Sequence, residues 1–581
     1  MHILGRAAVA VALVFVGVVV MLWALSSRAT RLVNSLVRDF ATEQTTVLSD
    51  SVYVLQVGQL HFNWPLRSVA LDSILLVTDT TRNAGRTVPL ATLAVALRKC
   101  RITGIEVTRL LLARGFSIDE FGCDEVTLSS DRPADSAAPA PRPVARPTTG
   151  LRDTTRAQSG SRAAGAFLTV QRALVLPRQV PALHVAQVVF PTVAIALRRR
   201  EAGGNDFTFD LERAQLRVSG VAIDPADTAA AARPLFSESV VLTAQGTAVE
   251  PDTVSRIAVG SLQVNLTDSI VVVRDVSYGP QISDAQYRRL SPWRHERIRF
   301  AAGRVQFTGL DVGAFAGTGA LLARTLELDS FRFDIRTDKR LPKRPGPSRP
   351  KRTLQAFIGT RPREFRIDTI RIRRAAILYE EWAERRDAPG RLAITEVELD
   401  ATSFRHVPGR VSEADPFIVD VRALFLERGR VRLHLEVPLD APRFTMRVNG
   451  SLGPMPATAL NPFLSQIMPV EVKGGQVQGV TFSFRVTDGL ARGQLTPLYT
   501  GLDANITGTG ATGIVGRRGL FGGIVRGAAE LAAGLKVRFD NPAHPGEQPR
   551  SGAINRRFQG ESLISFFVKA LVSGLMPVVV K

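Results

Sequence analysis

The residue types that perform chemistry occur in this chain without the spacing that chemistry needs. Its seven histidines, His2, His61, His184, His295, His406, His434 and His544, are scattered, and none forms a zinc-ligand pattern. Neither H-E-x-x-H nor G-x-S-x-G occurs, so metal-assisted and serine hydrolysis have no signature. The adjacent carboxylates Glu380-Glu381 stand beside Trp382 among charged neighbours, a context that predicts a solvated turn. The glycine-rich tract 507–522, TGTGATGIVGRRGLFG, lacks the Gly-Lys-Ser/Thr ending and the strand-helix frame of a phosphate loop. The expectation is a protein that is not an enzyme, with no catalytic residue, no cofactor and no metal site. Cys100 and Cys123 lie in strand-like segments. In an oxidising compartment they could pair, and two buried free thiols are the other option.

The elements that position these residues begin with an apolar run. Ala7 to Leu25, AAVAVALVFVGVVVMLWAL, carries no charge, and at about 1.5 Å per residue it just crosses a hydrocarbon core. Trp23 sits near its end, where an interfacial aromatic belongs. Arg6 and Ala24-Leu25-Ser26 also suit a cleaved signal peptide, but the run exceeds an h-region of roughly 7–15 residues, which favours a retained anchor. Arg28, Arg31 and Arg38 follow the run, yet long domains cross largely regardless of flanking charge. Residues 1–6 are therefore expected in the cytoplasm and the large domain is expected to be exported.

Composition supports a globular chain: 45% of 581 residues are hydrophobic, enough for a sizeable core. The net charge of +21 is almost wholly arginine, with lysine at eight positions, and it is spread along the strands. Such arginines make a solvated surface, or one drawn to anionic head groups. No nucleic-acid motif accompanies them, so no nucleic-acid partner is expected.

A leading helix is predicted over 30–47, where Leu32, Val33, Leu36, Val37 and Phe40 recur at helical spacing. It opens a first β segment, 26–130. Residues 131–162 are rich in Pro, Ala, Ser and Arg and predict a disordered insertion. A second β segment, 163–338, ends at the basic proline-rich loop 339–352, and a third covers 353–448.

Through these segments one pattern recurs: apolar-x-apolar, two intervening residues, apolar-x-apolar. It appears from Val69 to Leu76, Phe116 to Cys123, Leu183 to Phe190 and Ile257 to Val264, then from Leu326 to Phe333, Phe365 to Ile372 and Leu392 to Leu399. A two-residue gap reverses the buried parity of a strand, which a β-bulge or sharp bend would absorb. The copies are unevenly spaced, so no fixed-length solenoid is implied.

The expected fold class is mainly β: a transmembrane helix followed by a long, twisted antiparallel sheet. Helices are predicted only at about 30–47, 457–466, 518–535 and 561–574, too few to roof roughly twenty-five strands. Either two sheets pack face to face, or the apolar face forms a groove for something apolar. Phe331, Phe333, Ile370 and Ile372 are the candidate groove-facing residues. A continuous sheet of that many strands would extend on the order of 100 Å, a length that suggests acyl chains as cargo.

The C-terminal region, 449–581, carries Asn461-Pro462, Gly474-Gly475, Asp488-Gly489, Gly493, Tyr499-x-x-Leu502 and Asn541-Pro542. In this order they are similar to the C-terminal region of AsmA-like envelope proteins, most clearly over about the last 130 residues. The resemblance implies a single-pass inner-membrane anchor, a periplasmic domain of repeating β-groove type, and a role in outer-membrane homeostasis. Phospholipid is its implied partner, moved or held between membranes, with other envelope proteins or the outer membrane met at the C-terminal end.

Read as chemistry, the same residues are structural: Asp488-Gly489 is a hairpin turn and Asn461-Pro462 a turn or helix boundary. The run Leu563 to Val580 contains Lys569, Gly574 and Pro577, which predicts a capping or interfacial helix rather than a second span. The alternative function is a non-enzymatic envelope scaffold or assembly factor with a closed β core and no lipid cargo.

Overall fold

The computed structural model describes residues 53–63, 68–84, 92–106, 116–132, 182–199, 207–224, 227, 233, 236–249, 254–290, 292–294, 296–311, 314, 320–342, 353–361, 363–384, 386–467, 470–506, 537–560 and 563–580. The expected anchor 7–25, the helices 30–47 and 518–535, the tract 507–522 and the insertion beyond residue 132 lie outside them. Among the described residues no helix is long and apolar enough to cross a membrane. The described chain is mainly β-strand, laid out as a long mixed sheet with few helices. It divides into two compact units, residues 1–274 with 308–320, and residues 275–307 with 321–581.

The first unit holds β1 (Tyr53–Val57), β2 (Leu60–Asn63), β3 (Ser68–Thr78), helix α1 (Thr80–Ala84), β4 (Thr92–Thr103), β5 (Phe116–Arg132), β6 (Leu183–Arg199), β7 (Phe207–Ile223), β8 (Ser239–Val249) and β9 (Ser255–Asn265). β10 (Ile270–Pro280) is shared between the units. β1 and β2 both pair with β3, and consecutive strands then pair through to β9. The second unit adds α2 (Asp284–Leu290), β11 (Glu296–Thr308), β12 (Leu321–Asp338), α3 (Leu354–Gly359), β13 (Phe365–Trp382), β14 (Gly390–His406), β15 (Phe417–Phe425), β16 (Gly429–Val437), β17 (Met446–Leu452) and β18 (Met455–Pro456). A 3-10 turn (Ala457–Leu460) leads into α4 (Asn461–Ile467), followed by β19 (Val470–Thr487), β20 (Leu490–Ile506), β21 (Gly552–Arg557) and α5 (Leu563–Val579).

The sheet is mixed, which corrects the expectation of a purely antiparallel one. β5 pairs with β6 in parallel and β12 with β13 in parallel, whereas the other pairings with a known register are antiparallel. A parallel neighbour cannot be reached by a hairpin and needs a crossover of a dozen or more residues. The two proline-rich breaks supply it: residues 133–182 join β5 to β6, and 339–364 join β12 to β13.

Some of the recurring gaps are bends of the kind the spacing demands. In β3, Val69, Leu71, Ile74 and Leu76 are all buried, with Asp72 exposed between the pairs. Its partner β4 makes the same parity change, Leu97 to Cys100, and Lys99 there takes φ 50°. In the second unit Ser330 and Glu396 occupy the gap positions of β12 and β14 with φ 55° and 50°, and Arg374, opposite Ser330 in the register but two residues past the Phe365–Ile372 copy, takes φ 51° in β13. A left-handed residue lets the strand gain one residue and keep its apolar side chains on one face. The pairing shifts at those points, between Ile372 and Ala375 in β13 and between Thr395 and Glu398 in β14. Arg373 plugs the bend: it donates to the carbonyls of Ile372 and Leu399 at 3.1 Å each and to Asp400 at 2.6 Å.

Cys100 stands directly opposite Cys123 in the β4–β5 register, and the two are joined by a disulfide. The helix predicted over 561–574 is α5, and it lies against β21 and β20. Its Ser573 hydroxyl accepts the Asn555 amide of β21 at 3.2 Å, so the helix occupies part of an edge that would otherwise be free to pair.

Candidate apolar trough in the second unit

The register of β12, β13 and β14 stacks apolar side chains in rows across three strands. Leu326 faces Ile370 and Ile370 faces Ala401; Leu328, Ile372 and Leu399 form the next row; Phe333, Ile377 and Ile394 form another. Phe331 lies between the last two, its ring 6.2 Å from Phe333 and 6.4 Å from Phe300 of β11. The four candidate residues Phe331, Phe333, Ile370 and Ile372 are thus brought to one apolar face.

That face is only half covered. The buried floor here consists of Ala375, Val397 and Ala423, while the larger Phe331, Ile372, Ile394, Val421 and Val431 packed around them remain partly exposed. No helix contributes to this cluster among the described residues. The same spacing in the first unit behaves differently: Val69, Leu71, Ile74, Leu76, Phe116, Ile118, Phe121 and Cys123 are buried within one continuous core.

Among the described residues, helices cover both ends of the strands and none covers the middle. At one end α3 inserts Ile358 among Val437, Phe444, Val448 and Phe484, and α5 adds Phe566. Thr353 caps α3 by accepting the Ala356 amide at 3.2 Å. At the other end α4 packs Phe463 against Tyr379, with Ile335, Leu392 and Leu464 around them. Asn461 seats that helix by bonding both backbone groups of Val472, each at 2.8 Å, like a strand neighbour.

Beyond α4 the apolar rows end in charge. Glu380 and Glu381 are 4% and 2% exposed near the C-terminal end of strand β13, which corrects the expectation of a solvated turn. Glu380 lies opposite Arg336 of β12 and Arg391 of β14 and pairs with them at 2.8 and 3.0 Å. Glu381 takes the Lys339 ammonium and the Tyr379 hydroxyl, the latter at 2.6 Å. Burial, with the Glu381 carboxylate beside it, pushes the Tyr379 phenol up, so it stays a proton donor. Every buried charge here has an opposite partner, the arrangement burial requires. The sequence carried a signal for it, since alternate basic residues on flanking strands bracket the acidic pair, but pairing across strands depends on register.

The C-terminal motif residues hold structure. Asp488 and Gly489 take φ 49° and 74° in the two-residue turn between β19 and β20, a type I′ geometry. Gly475 has φ 117°, and a Cβ there would meet the Leu502 Cα at 2.8 Å; one on Gly493 would meet the Ser483 carbonyl at 2.0 Å. Gly474 lies in the same irregular stretch of β19, and Pro462 occupies the first turn of α4. Tyr499 and Leu502 of β20 bond the backbone of Asn541 and Phe539, which extends the sheet past β21. The Asn541 amide group holds Pro497 and both backbone groups of Arg550, and Pro542 follows it into that loop.

Comparison with protein-family models and with curated proteins returned no match.

Proposed function

We propose that this chain is a membrane-anchored β-groove protein of the cell envelope whose second unit holds phospholipid acyl chains, in keeping with transfer between membranes and outer-membrane upkeep. One observation carries the reading: large apolar side chains on β12–β16 surround a floor of small residues and stay only partly buried, where the same pattern in β3 and β5 of the first unit is buried in a continuous core. A contiguous apolar face left open to water marks a surface meant for an apolar partner. The uncharged run Ala7–Leu25 supports a single-pass inner-membrane anchor. The Cys100–Cys123 disulfide supports placing the domain in an oxidising compartment such as the periplasm. The similarity of the C-terminal motifs to AsmA-like proteins points the same way.

The scaffold reading draws on the first unit, whose closed core needs no cargo. Native mass spectrometry and lipid extraction of residues 26–581, exported and purified without detergent, separate the two. Several phospholipids bound per chain support the trough; a folded, lipid-free protein supports the scaffold.

A further inference from the structure

The end of the second unit where α3 and α5 meet the strands carries apolar side chains that the core does not use. Phe357 of α3, Val411 of the β14–β15 connection, and Leu563 and Ile564 of the first turn of α5 are 42–70% exposed. They ring one packed core, in which Ile358, the neighbour of Phe357, and Phe566, two residues after Ile564, are both buried. Val411 is drawn to the same rim through the end of β14. There the His406 ring lies 3.3 Å from the Arg361 carbonyl oxygen and 2.6 Å from Asp440, whose backbone carbonyl accepts the Ser412 amide at 3.2 Å. A single exposed apolar side chain needs no explanation, but a group around one rim does.

Arginines crowd the same end without acids to match them. Arg447, Arg485 and Arg492 stand in one row across β17, β19 and β20, on the face opposite the buried Val448, Phe484 and Ala491. Glu436 of the next strand takes Arg447 at 2.8 Å, which leaves Arg485 and Arg492 facing each other. Like charges directly opposite destabilise a sheet, so this pair is held against a cost. Arg361, Arg363, Arg410 and Arg557 add exposed guanidinium groups around the rim. Among the described residues these four, with Arg485 and Arg492, have no carboxylate partner. The acids nearby are largely engaged: Asp415 by Arg405, Asp488 by Arg443 and Asp440 by His406. Glu364 and Glu413 are left over, so the free arginines outnumber the free carboxylates.

We propose that this end of the second unit is a docking surface for a membrane leaflet containing anionic phospholipid. The apolar side chains enter below the head groups, and the arginines meet the phosphates around them. Their long apolar stems let each guanidinium stay at the interface as the tip sinks, and the Arg361 guanidinium already lies over the Phe357 ring at 3.9 Å. The apolar groups come from three separate segments, α3, the β14–β15 connection and α5. A fluid leaflet accepts such a scatter without a matching shape, which an acidic protein partner would have to supply. That a membrane lies within reach rests on the envelope reading above, whereas the surface itself is read from these side chains. Docked this way, the α3 end of the trough meets the leaflet from which acyl chains enter or leave.

Vesicle co-sedimentation tests it. The full chain, in phosphatidylcholine nanodiscs or free if it does not enter them, is mixed with sucrose-loaded phosphatidylcholine vesicles with or without phosphatidylglycerol. Binding is expected to the anionic vesicles alone and should weaken as salt is raised. Arg485→Gln with Arg492→Gln should lower the affinity roughly tenfold. Arg428→Gln with Arg430→Gln removes the same charge at the opposite end of β16 and should change it little. An environment-sensitive fluorophore on Ile564→Cys should shift to the blue on anionic vesicles, and one on Arg428→Cys should not; Cys100 and Cys123 are in a disulfide and stay unlabelled. All the substituted side chains are exposed, so the fold is expected to survive, with circular dichroism as the check. Equal binding to the two kinds of vesicle, equal loss in the two arginine pairs, or no shift at Ile564 overturns the surface. Absence of binding overturns it too and leaves an acidic protein as the partner. Phospholipid that co-purifies with a chain unable to bind vesicles would remove the surface and leave the trough; vesicle binding by a lipid-free chain would do the reverse.

Discussion

Tyr379 donates its hydroxyl to Glu381 at 2.6 Å, two residues along the same face of β13, and this contact marks where the apolar rows give way to charge. Glu381 also holds Lys339, so removing the carboxylate strands a partly buried ammonium. Glu381→Ala is expected to cost about 3–5 kcal/mol, and Tyr379→Phe only about 1 kcal/mol. Thermal or urea unfolding of residues 26–581 checks the ratio; equal losses would mean that the Lys339 pairing contributes nothing.

The open and closed parts of the sheet should respond differently to the same insult. Val448 is 0% exposed in the core under α3 and α5, so Val448→Asp should prevent folding. Ile370→Asp lies on the half-covered face and should leave near-UV circular dichroism intact while lowering bound lipid. An Ile370→Asp protein that simply unfolds would show that this face is core.

The seat of α5 depends on the absence of two side chains. A Cβ on Gly552 would meet the Gly574 carbonyl oxygen at 1.8 Å, and one on Gly574 would meet Ile554 at 2.9 Å. Gly552→Val should lift α5 from β21, cost on the order of 2–4 kcal/mol, and expose the C-terminal helix to limited proteolysis. Unchanged proteolysis would mean that the helix tolerates the displacement.

His434 gives a weaker pH effect of known sign. Its bond to Asp420 at 2.8 Å, helped by Glu436, raises its pKa against the opposing effect of burial. A raised folded value means that the contribution is fully present below the unfolded value of about 6.5 and is lost as pH rises through the folded one. Because the side chain is well exposed, solvent screening keeps the contribution small. Asp420→Asn should flatten stability above about pH 6.5; a steeper profile would reverse the sign.

Much of this fold is legible in the sequence because strand patterning is local. The gap of two residues in Leu326–Phe333 or Leu392–Leu399 announces a parity change, and the structure meets it with the left-handed residues Ser330 and Glu396. The direction of pairing was not legible. Long loops at 131–162 and 339–352 read as insertions, and their role as parallel crossovers depends on which strands they join. The covering of β13 escaped for the same reason. Glu380-Glu381 looked solvated until Arg336 and Arg391 were placed opposite by register, and His406 gave no sign of Asp440, which lies beyond two further strands. Contacts between segments distant in sequence leave no periodicity to read.

The most direct test of the trough places a photo-crosslinking amino acid at Phe333 in the full chain, with Arg332 on the opposite face as its control, and irradiates cells. Mass spectrometry of the purified chain should show phospholipid adducts at Phe333 and none at Arg332. Adducts absent from both positions, or equal at the two, would contradict a lipid-holding face.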